Sequence, residues 1–273
     1  MNQLVLPAII LQHLGVDVFD NVMQMHGRVY RDVQGRRTVQ VMFGGDSYFI
    51  KQHFGVGWKE IFKSFISFKI PILGALTEVN AIKKLGEIGV ATTPLVGYGV
   101  KGFNPATQQS FIVTKDLGDI ISLEDLCASW KVNPPEASFK RRLIIAVAEL
   151  AQNLHKNGLN HRDFYLCHLC LDAQALKQDQ IKIYLIDLHR MLISAKPALK
   201  ATMKDIAGLY FSSMDAELTT RDYLRFKHHY AKGFSEITAS FWMDISSRAN
   251  KLYAKFHSEK FQNKLVAERA RLN

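Results

Sequence analysis

Between Arg28 and His53, apolar and polar positions alternate in short runs rich in β-branched and aromatic residues: Arg28–Val33, Arg36–Phe43 and 47–53. Gly35 and the Gly44-Gly45 pair separate the runs, so the pattern predicts an antiparallel meander with tight turns. Gly55-Val56-Gly57 breaks it, and the period then changes. From Trp58 to about Phe68, the residues Ile61, Phe62, Phe65 and Ile66 share one helical side while Lys59 and Lys63 lie on another. A second helix is predicted from about Ala75 to Ile88, with Glu78 in its first turn and Gly89 as its stop. Strand-like runs at 94–98 and 109–114 bring the expected strands to five, with helix inserted among them.

Beyond this the pattern turns helical. Asp116 to Asp119 is a polar link, and Ser122-Leu123-Glu124-Asp125 has the spacing of a capping box. Asn133-Pro134-Pro135 is a breaker. In 139–157, Leu143, Val147, Leu150 and Leu154 fall on one helical face, and Gly158 ends the helix. A loop at 160–171 leads to a strand at 181–186 that closes on Asp187. Everything after Lys204 reads as helix, and the basic stretch 251–271 as a solvated one. The order predicts an α+β fold. A β-rich N-terminal lobe at 1–116 precedes a helical C-terminal lobe at 117–273, with the inter-lobe cleft as the expected ligand site.

Composition narrows the classes. The chain has 273 residues, 48% of them hydrophobic, which suffices for a real core. No apolar run approaches the roughly 18 residues needed to cross a bilayer. Residues 1–11 lack the basic, apolar and small-residue succession of a signal peptide. Three cysteines, Cys127, Cys167 and Cys170, without an export signal point to reduced thiols and the cytosol. The net charge of +10 and pI near 9.4 favour anionic partners. Aromatic residues are not interleaved with the basic ones in a recognisable motif, which argues against nucleic acid. Cys167-His168-Leu169-Cys170 has a metal-like look, but no second Cys/His pair stands at zinc-site spacing.

The chemistry concentrates in a few places. His161-Arg162-Asp163 follows the long predicted helix and is followed by a polar His168. In protein kinases such a triplet opens the catalytic loop; its Asp accepts the substrate hydroxyl proton and a later Asn holds metal. Here Asp163 is the candidate base, and His168 stands where that Asn would be. Asp187 ends an apolar strand, a costly place for a carboxylate unless a cation or donors meet it, so it is the candidate Mg²⁺ ligand together with His168. Lys51, on a strand, is the candidate phosphate grip, with Glu78 as its helix partner. Gly35-Arg36-Arg37 is the candidate phosphate-covering turn, with the arginines supplying donors that missing glycines do not. Asp116, in the inter-lobe link, completes the nucleotide-binding candidates. Asp205 is expected to brace the catalytic loop. The short gap from Asp187 to Asp205 leaves no room for a long regulated activation loop, which points to a small-molecule substrate.

These segments carry a resemblance. Gly35-Arg36-Arg37-Thr38, Tyr48-Phe49-Ile50-Lys51, Pro71 through Gly74-Ala75, Ser110 through Thr114, Ile121 through Asp125, Val132-Asn133-Pro134-Pro135, Asn160-His161-Arg162-Asp163, Cys167-His168, Ile186 through Arg190, and Lys204-Asp205 with Gly208 through Ser213 are similar to the lipopolysaccharide core heptose(I) kinases of Gram-negative bacteria. The resemblance implies a protein-kinase-like fold. It implies ATP- and Mg²⁺-dependent phosphorylation of the 4-hydroxyl of the first inner-core heptose, at the cytoplasmic face of the inner membrane. It implies that Lys51, Asp163 and Asp187 are functional and that His168 is a family trait. It also implies acyl carrier protein as a stabilising partner, for which the stretch 58–69 is the expected contact. Phe164-Tyr165 and the Lys115-Asp116 link depart from the family pattern. The alternatives are a kinase of another sugar hydroxyl and a non-catalytic lipopolysaccharide-binding pseudokinase.

Overall fold

In the computed structural model, residues 3–33, 35–55, 57–58 and 74–269 are described. The helix expected at 58–68 and the proposed carrier-protein contact at 58–69 lie outside them beyond Trp58.

The chain opens with β1 (Gln3–Val5), α1 (Ala8–Leu14) and α2 (Val18–Gln24), and the meander follows as β2 (Arg28–Val33), β3 (Arg36–Phe43) and β4 (Asp46–His53). Gly35, Gly44 and Gly45 all take positive φ at its turns, a conformation that costs glycine no Cβ clash. After α3 (Leu76–Glu87) come β5 (Leu95–Lys101) and β6 (Gln109–Lys115). The sheet has six strands in the order β1-β5-β6-β4-β3-β2, against the five expected. The extra strand is β1, which pairs antiparallel with β5. With three residues in β1 and seven in each of α1 and α2, none of these elements is long enough to show a period in the sequence.

Strand alternation sorts the side chains by face. Val39, Val41 and Phe43 of β3, Tyr48 and Ile50 of β4, and Phe111 and Val113 of β6 pack with Ile10, Phe19 and Val22 of α1 and α2 in one buried cluster. Burial of a side chain such as Phe111 contributes about 1.5–3 kcal/mol. Gly99 makes room for it: a Cβ there would stand 2.5 Å from the Phe111 ring. On this face Gln52 is fully buried, and its amide donates to Val22 O at 2.8 Å and Met25 O at 3.1 Å, satisfying carbonyls at the end of α2. The register pairs Arg36 with His53 and Thr38 with Lys51, so these four share the opposite face.

The remaining elements are β7 (Ile120–Ser122), α4 (Leu123–Ala128), α5 (Ala137–Lys156), β8 (Leu159–Asn160), β9 (Leu169–Asp172), α6 (Ala173–Lys177), β10 (Ile183–Leu185), β11 (Leu192–Ile193), α7 (Leu199–Ser212), α8 (Thr220–Ala231), α9 (Ala239–Phe256) and α10 (Glu259–Arg269). Ser122 caps α4 by accepting from Asp125 N at 3.0 Å, as its spacing predicts. Leu143, Val147 and Leu154 are buried on one face of α5. Gly158 follows at φ +71, where a Cβ would lie 2.2 Å from Ser194 O. The basic C-terminal stretch is not one helix: α9 ends at Phe256 and α10 starts at Glu259. No helix among the described residues is long and apolar enough to cross a membrane.

The chain divides into two compact units. The sheet unit comprises Met1–Asp119 and Tyr184–Met191, and the helical unit Ile120–Ile183 and Leu192–Asn273. Tyr184–Met191 thus lies with the sheet unit, whereas a helical lobe is expected over all of 117–273. Local bonds explain the difference. Leu185 N donates to Ala91 O at 2.9 Å, Thr92 Oγ1 donates to Leu185 O at 2.6 Å, and the turn Leu188–Arg190 packs against α3.

Candidate active site

In the sheet unit, Lys51 Nζ lies 2.6 Å from Glu78 Oε1. Glu78 is 2% exposed, and its Oε2 has no hydrogen-bond partner among the described residues. A buried carboxylate with an unsatisfied oxygen is costly unless cationic charge stands near. Lys51 supplies that charge directly, and Arg36 adds to it. Burial lowers the Arg36 guanidinium from its usual range, as does Arg31, while Asp187 and Glu78 pull it back up. Arg36 therefore sits in the field of both carboxylates. His53, beside Arg36 on the same face, is pushed down to about 3, first by burial and then by Arg36, Lys51 and His189. It is a neutral imidazole at physiological pH.

Asp187 follows β10 and turns the chain through the left-handed region at φ 62 and ψ 55. A non-glycine residue there is strained, though Asp tolerates it better than most. Its carboxylate Oδ1 meets His189 Nδ1. His189 occupies the third position of Asp187-Leu188-His189, where protein kinases carry glycine. Its contact was not foreseen from sequence; a ring donor two residues past the Asp was the available signal.

The other nucleotide candidates scatter. Arg37 points to the opposite face from Arg36 and lies 3.7 Å from Asp32. Gly35 O accepts from Phe54 N at 2.9 Å. Asp116 Oδ2 accepts from Gln40 Nε2 and Ser47 Oγ, both at 2.8 Å, and Oδ1 accepts from Gly118 N at 2.9 Å. Burial raises the Asp116 carboxyl, but these three bonds outweigh it and hold it below the usual range. The structure thus brings together Lys51, Glu78, Arg36 and Asp187, and engages Arg37 and Asp116 elsewhere.

In the helical unit, Asp163 follows β8 in a loop whose backbone is held at several points. Asp205, 1% exposed on α7, accepts from His161 N at 2.7 Å and Arg162 N at 2.8 Å. Arg162 takes φ 71, and these bonds over-determine that strained turn. Asp163 O accepts from Tyr165 N at 3.0 Å and meets His168 Nδ1 at 2.7 Å. Phe164 is buried between the rings of His155 and His161 and anchors the loop. His168 thus touches the loop through Nδ1. Metal-bound histidines commonly use one ring nitrogen in this way, on a carbonyl, while the other ligates.

Among the described residues, no three or more His, Cys, Asp or Glu side chains group as a metal cage. Mg²⁺ needs no such cage: it takes one or two carboxylates and fills its remaining positions with phosphate oxygens and water. Asp187 offers one carboxylate of that kind.

A separate cavity of about 410 Å³ lies within the helical unit, with Leu143, Val147, Leu209, Phe226, Trp242 and Ile245 among its walls.

Residues 20–230 match the family model "Lipopolysaccharide kinase (Kdo/WaaP) family". The chain belongs to this family. It is 46% identical over 217 residues to the lipopolysaccharide core heptose(I) kinase WaaP of Escherichia coli K12, covering 79% of this chain and 82% of that protein. It is 40% identical over 248 residues to the enzyme of the same name from Pseudomonas aeruginosa PAO1, covering 88% of this chain and 92% of that one. A solved structure, described as WaaP in complex with acyl carrier protein, matches with a TM-score of 0.78 and 36% identity over 92% of this chain and 99% of that one. The Kdo/WaaP chain is accordingly an enzyme, a lipopolysaccharide core heptose kinase with the expected protein-kinase-like α+β fold. The non-catalytic alternative does not fit these relatives.

Proposed function

We propose that the enzyme transfers the γ-phosphoryl group of ATP to the 4-hydroxyl of the first heptose of the lipopolysaccharide inner core. The observation that carries this reading is the buried Lys51–Glu78 pair with Arg36 and Asp187 in the same unit. Lys51 and Arg36 offset phosphate charge, and Glu78 keeps Lys51 extended toward the phosphates. Asp163 orients the sugar hydroxyl and accepts its proton. Mg²⁺, when bound, neutralises charge on the phosphate oxygens, and Asp187 is the residue that would hold it. His168 fixes Asp163 through its carbonyl and is a second, softer metal candidate. The test is turnover of purified enzyme with ATP, Mg²⁺ and heptose-bearing core, with the product's phosphate located by NMR. Phosphate at position 4 of the first heptose supports the assignment; phosphate on another hydroxyl favours the alternative sugar-kinase reading. No turnover overturns both.

The substrate is a lipid-linked sugar, so the enzyme would work at the cytoplasmic face of the inner membrane. The +10 charge supports this, since each basic residue near an anionic surface contributes about 1 kcal/mol. Acyl carrier protein is the proposed protein partner. Besides the matching complex, the apolar cavity of about 410 Å³ supports it, because a carrier protein's fatty acyl chain is the kind of group such a space takes. Acylated carrier protein should then raise the melting temperature more than the unacylated form. Equal effects would remove the cavity from the interaction.

A further inference from the structure

The end of α5 and the end of α8 are joined by a pair of side chains that the reaction as described does not use. Tyr230 is fully buried, and its hydroxyl lies 2.7 Å from His155 Nδ1. His155 is 1% exposed, and its Nε2 lies 3.3 Å from Asp205 Oδ2. Asp205 is the carboxylate that accepts from the His161 and Arg162 backbone amides just before Asp163. The three side chains form one chain of contacts from the end of α8 to the two amides of the catalytic loop.

The proton bookkeeping gives each link a direction. A neutral imidazole donates through one nitrogen and accepts through the other. Nε2 faces a carboxylate, so it is the donor, and Nδ1 must accept. The hydroxyl of Tyr230 is the donor that fills it. Burial raises the Tyr230 phenol, so it stays protonated and able to donate. Its ring cannot swing away. Phe226 stacks on it at 5.7 Å, with Phe234 at 5.5 Å and Trp242 at 5.9 Å completing the cage.

We propose that Tyr230 and His155 are positioning residues for phosphoryl transfer: the Tyr230 hydroxyl, by donating to Nδ1, holds the His155 ring where Nε2 donates to Asp205, and this keeps Asp205 aimed at the backbone of the catalytic loop. Without the hydroxyl, the buried Nδ1 loses its donor, and the His155 ring turns from its place against Asp205 to find another. Asp205 then loses a donor while remaining buried, and it relaxes away from the two amides. This inference rests on Asp163 being the reacting base.

The test uses the full-length enzyme and the conservative variant Tyr230→Phe, which keeps the ring. Its kcat should fall about five- to tenfold, the equivalent of roughly one neutral hydrogen bond, with KM for ATP unchanged. Hydrogen exchange at the His161 and Arg162 amides should quicken by a similar factor. His155→Phe, which removes the donor to Asp205 outright, should lose at least as much kcat as Tyr230→Phe. Phe234→Leu alters the cage but not the hydroxyl and should keep wild-type kcat and wild-type exchange at both amides. Wild-type kcat in Tyr230→Phe overturns the proposal whatever the exchange shows, because the chain is then part of the core only. Equal losses in Tyr230→Phe and Phe234→Leu also overturn it, since packing would explain both. If the wild-type enzyme itself shows no turnover, the failure lies with the reading of Asp163. The exchange at the two amides then decides separately whether the chain holds the loop.

Discussion

The two units secure their functional groups by different means. In the sheet unit the contacts run from side chain to side chain: Lys51 to Glu78, Asp187 to His189, Arg36 in the field of both carboxylates. In the helical unit the contacts run to backbone: Asp205 to two amides, His168 to a carbonyl. Cations such as Lys51 and Arg36 can share their charge with an arriving polyanion without any hydrogen bond between peptide groups being broken. A loop held by its own peptide groups cannot move without breaking hydrogen bonds. On the proposed reaction the difference suits two tasks, binding a highly charged nucleotide and holding one oxygen at a reacting proton.

Substitutions that attack each mode in turn break or sharpen this contrast. The largest effect is expected from Asp163→Asn, which removes the base and leaves the backbone pins intact. Its kcat should fall about 10²–10⁴-fold, with melting unchanged. A smaller loss would move the proton acceptor elsewhere. Asp205→Ala comes next. It leaves the buried His161 amide and the partly buried Arg162 amide without their acceptor, at about 1–3 kcal/mol for the buried one, so urea unfolding should shift and kcat should drop as well. Unchanged unfolding would contradict backbone pinning. Glu78→Gln attacks the other mode. It should raise KM for ATP by about tenfold with little change in melting, because the buried carboxylate becomes a neutral amide of the same shape while Lys51, 27% exposed, can turn to water. Equal loss of melting temperature in Glu78→Gln and Asp205→Ala would erase the contrast.

The smallest effect concerns pH. His53 is held neutral in the folded state, to about 3, below the unfolded value near 6.5. Between those values the unfolded chain binds the extra proton and the folded one does not. Stability contributed by His53 is therefore complete above pH 6.5 and falls as pH drops toward 3, with a slope of at most about 1.4 kcal/mol per pH unit. The urea midpoint of the wild type should decline more steeply from pH 7 to pH 5 than that of His53→Gln. Parallel declines would show that His53 is not held in its neutral form.

Much of the architecture was legible because its signals are local and repeated. The bounds of β2 and β3 coincide with the runs that alternation marks, and α5 with the Leu143, Val147, Leu154 face. The Lys51–Glu78 contact follows from motif order, and so do the bonds of Asp205 to the loop. What the sequence hid is of two kinds. Elements β1, α1 and α2 are too short for a period, and their burial comes from a sheet assembled from distant segments. The chain through Tyr230 and His155 joins residues far apart in sequence, as does the engagement of Asp116 by Gln40 and Ser47. No spacing rule foretells contacts of that kind.

The placement of Tyr184–Met191 in the sheet unit has a consequence for how the protein is made. Synthesis is vectorial, and N-terminal units ordinarily fold while the rest of the chain is still emerging. Here the first unit lacks Asp187 and the turn that packs on α3 until Met191 has left the ribosome, by which time the long helix α5 and the whole catalytic loop have already appeared. The two units therefore cannot mature one after the other, and no single cut in the gene yields them as separate working halves.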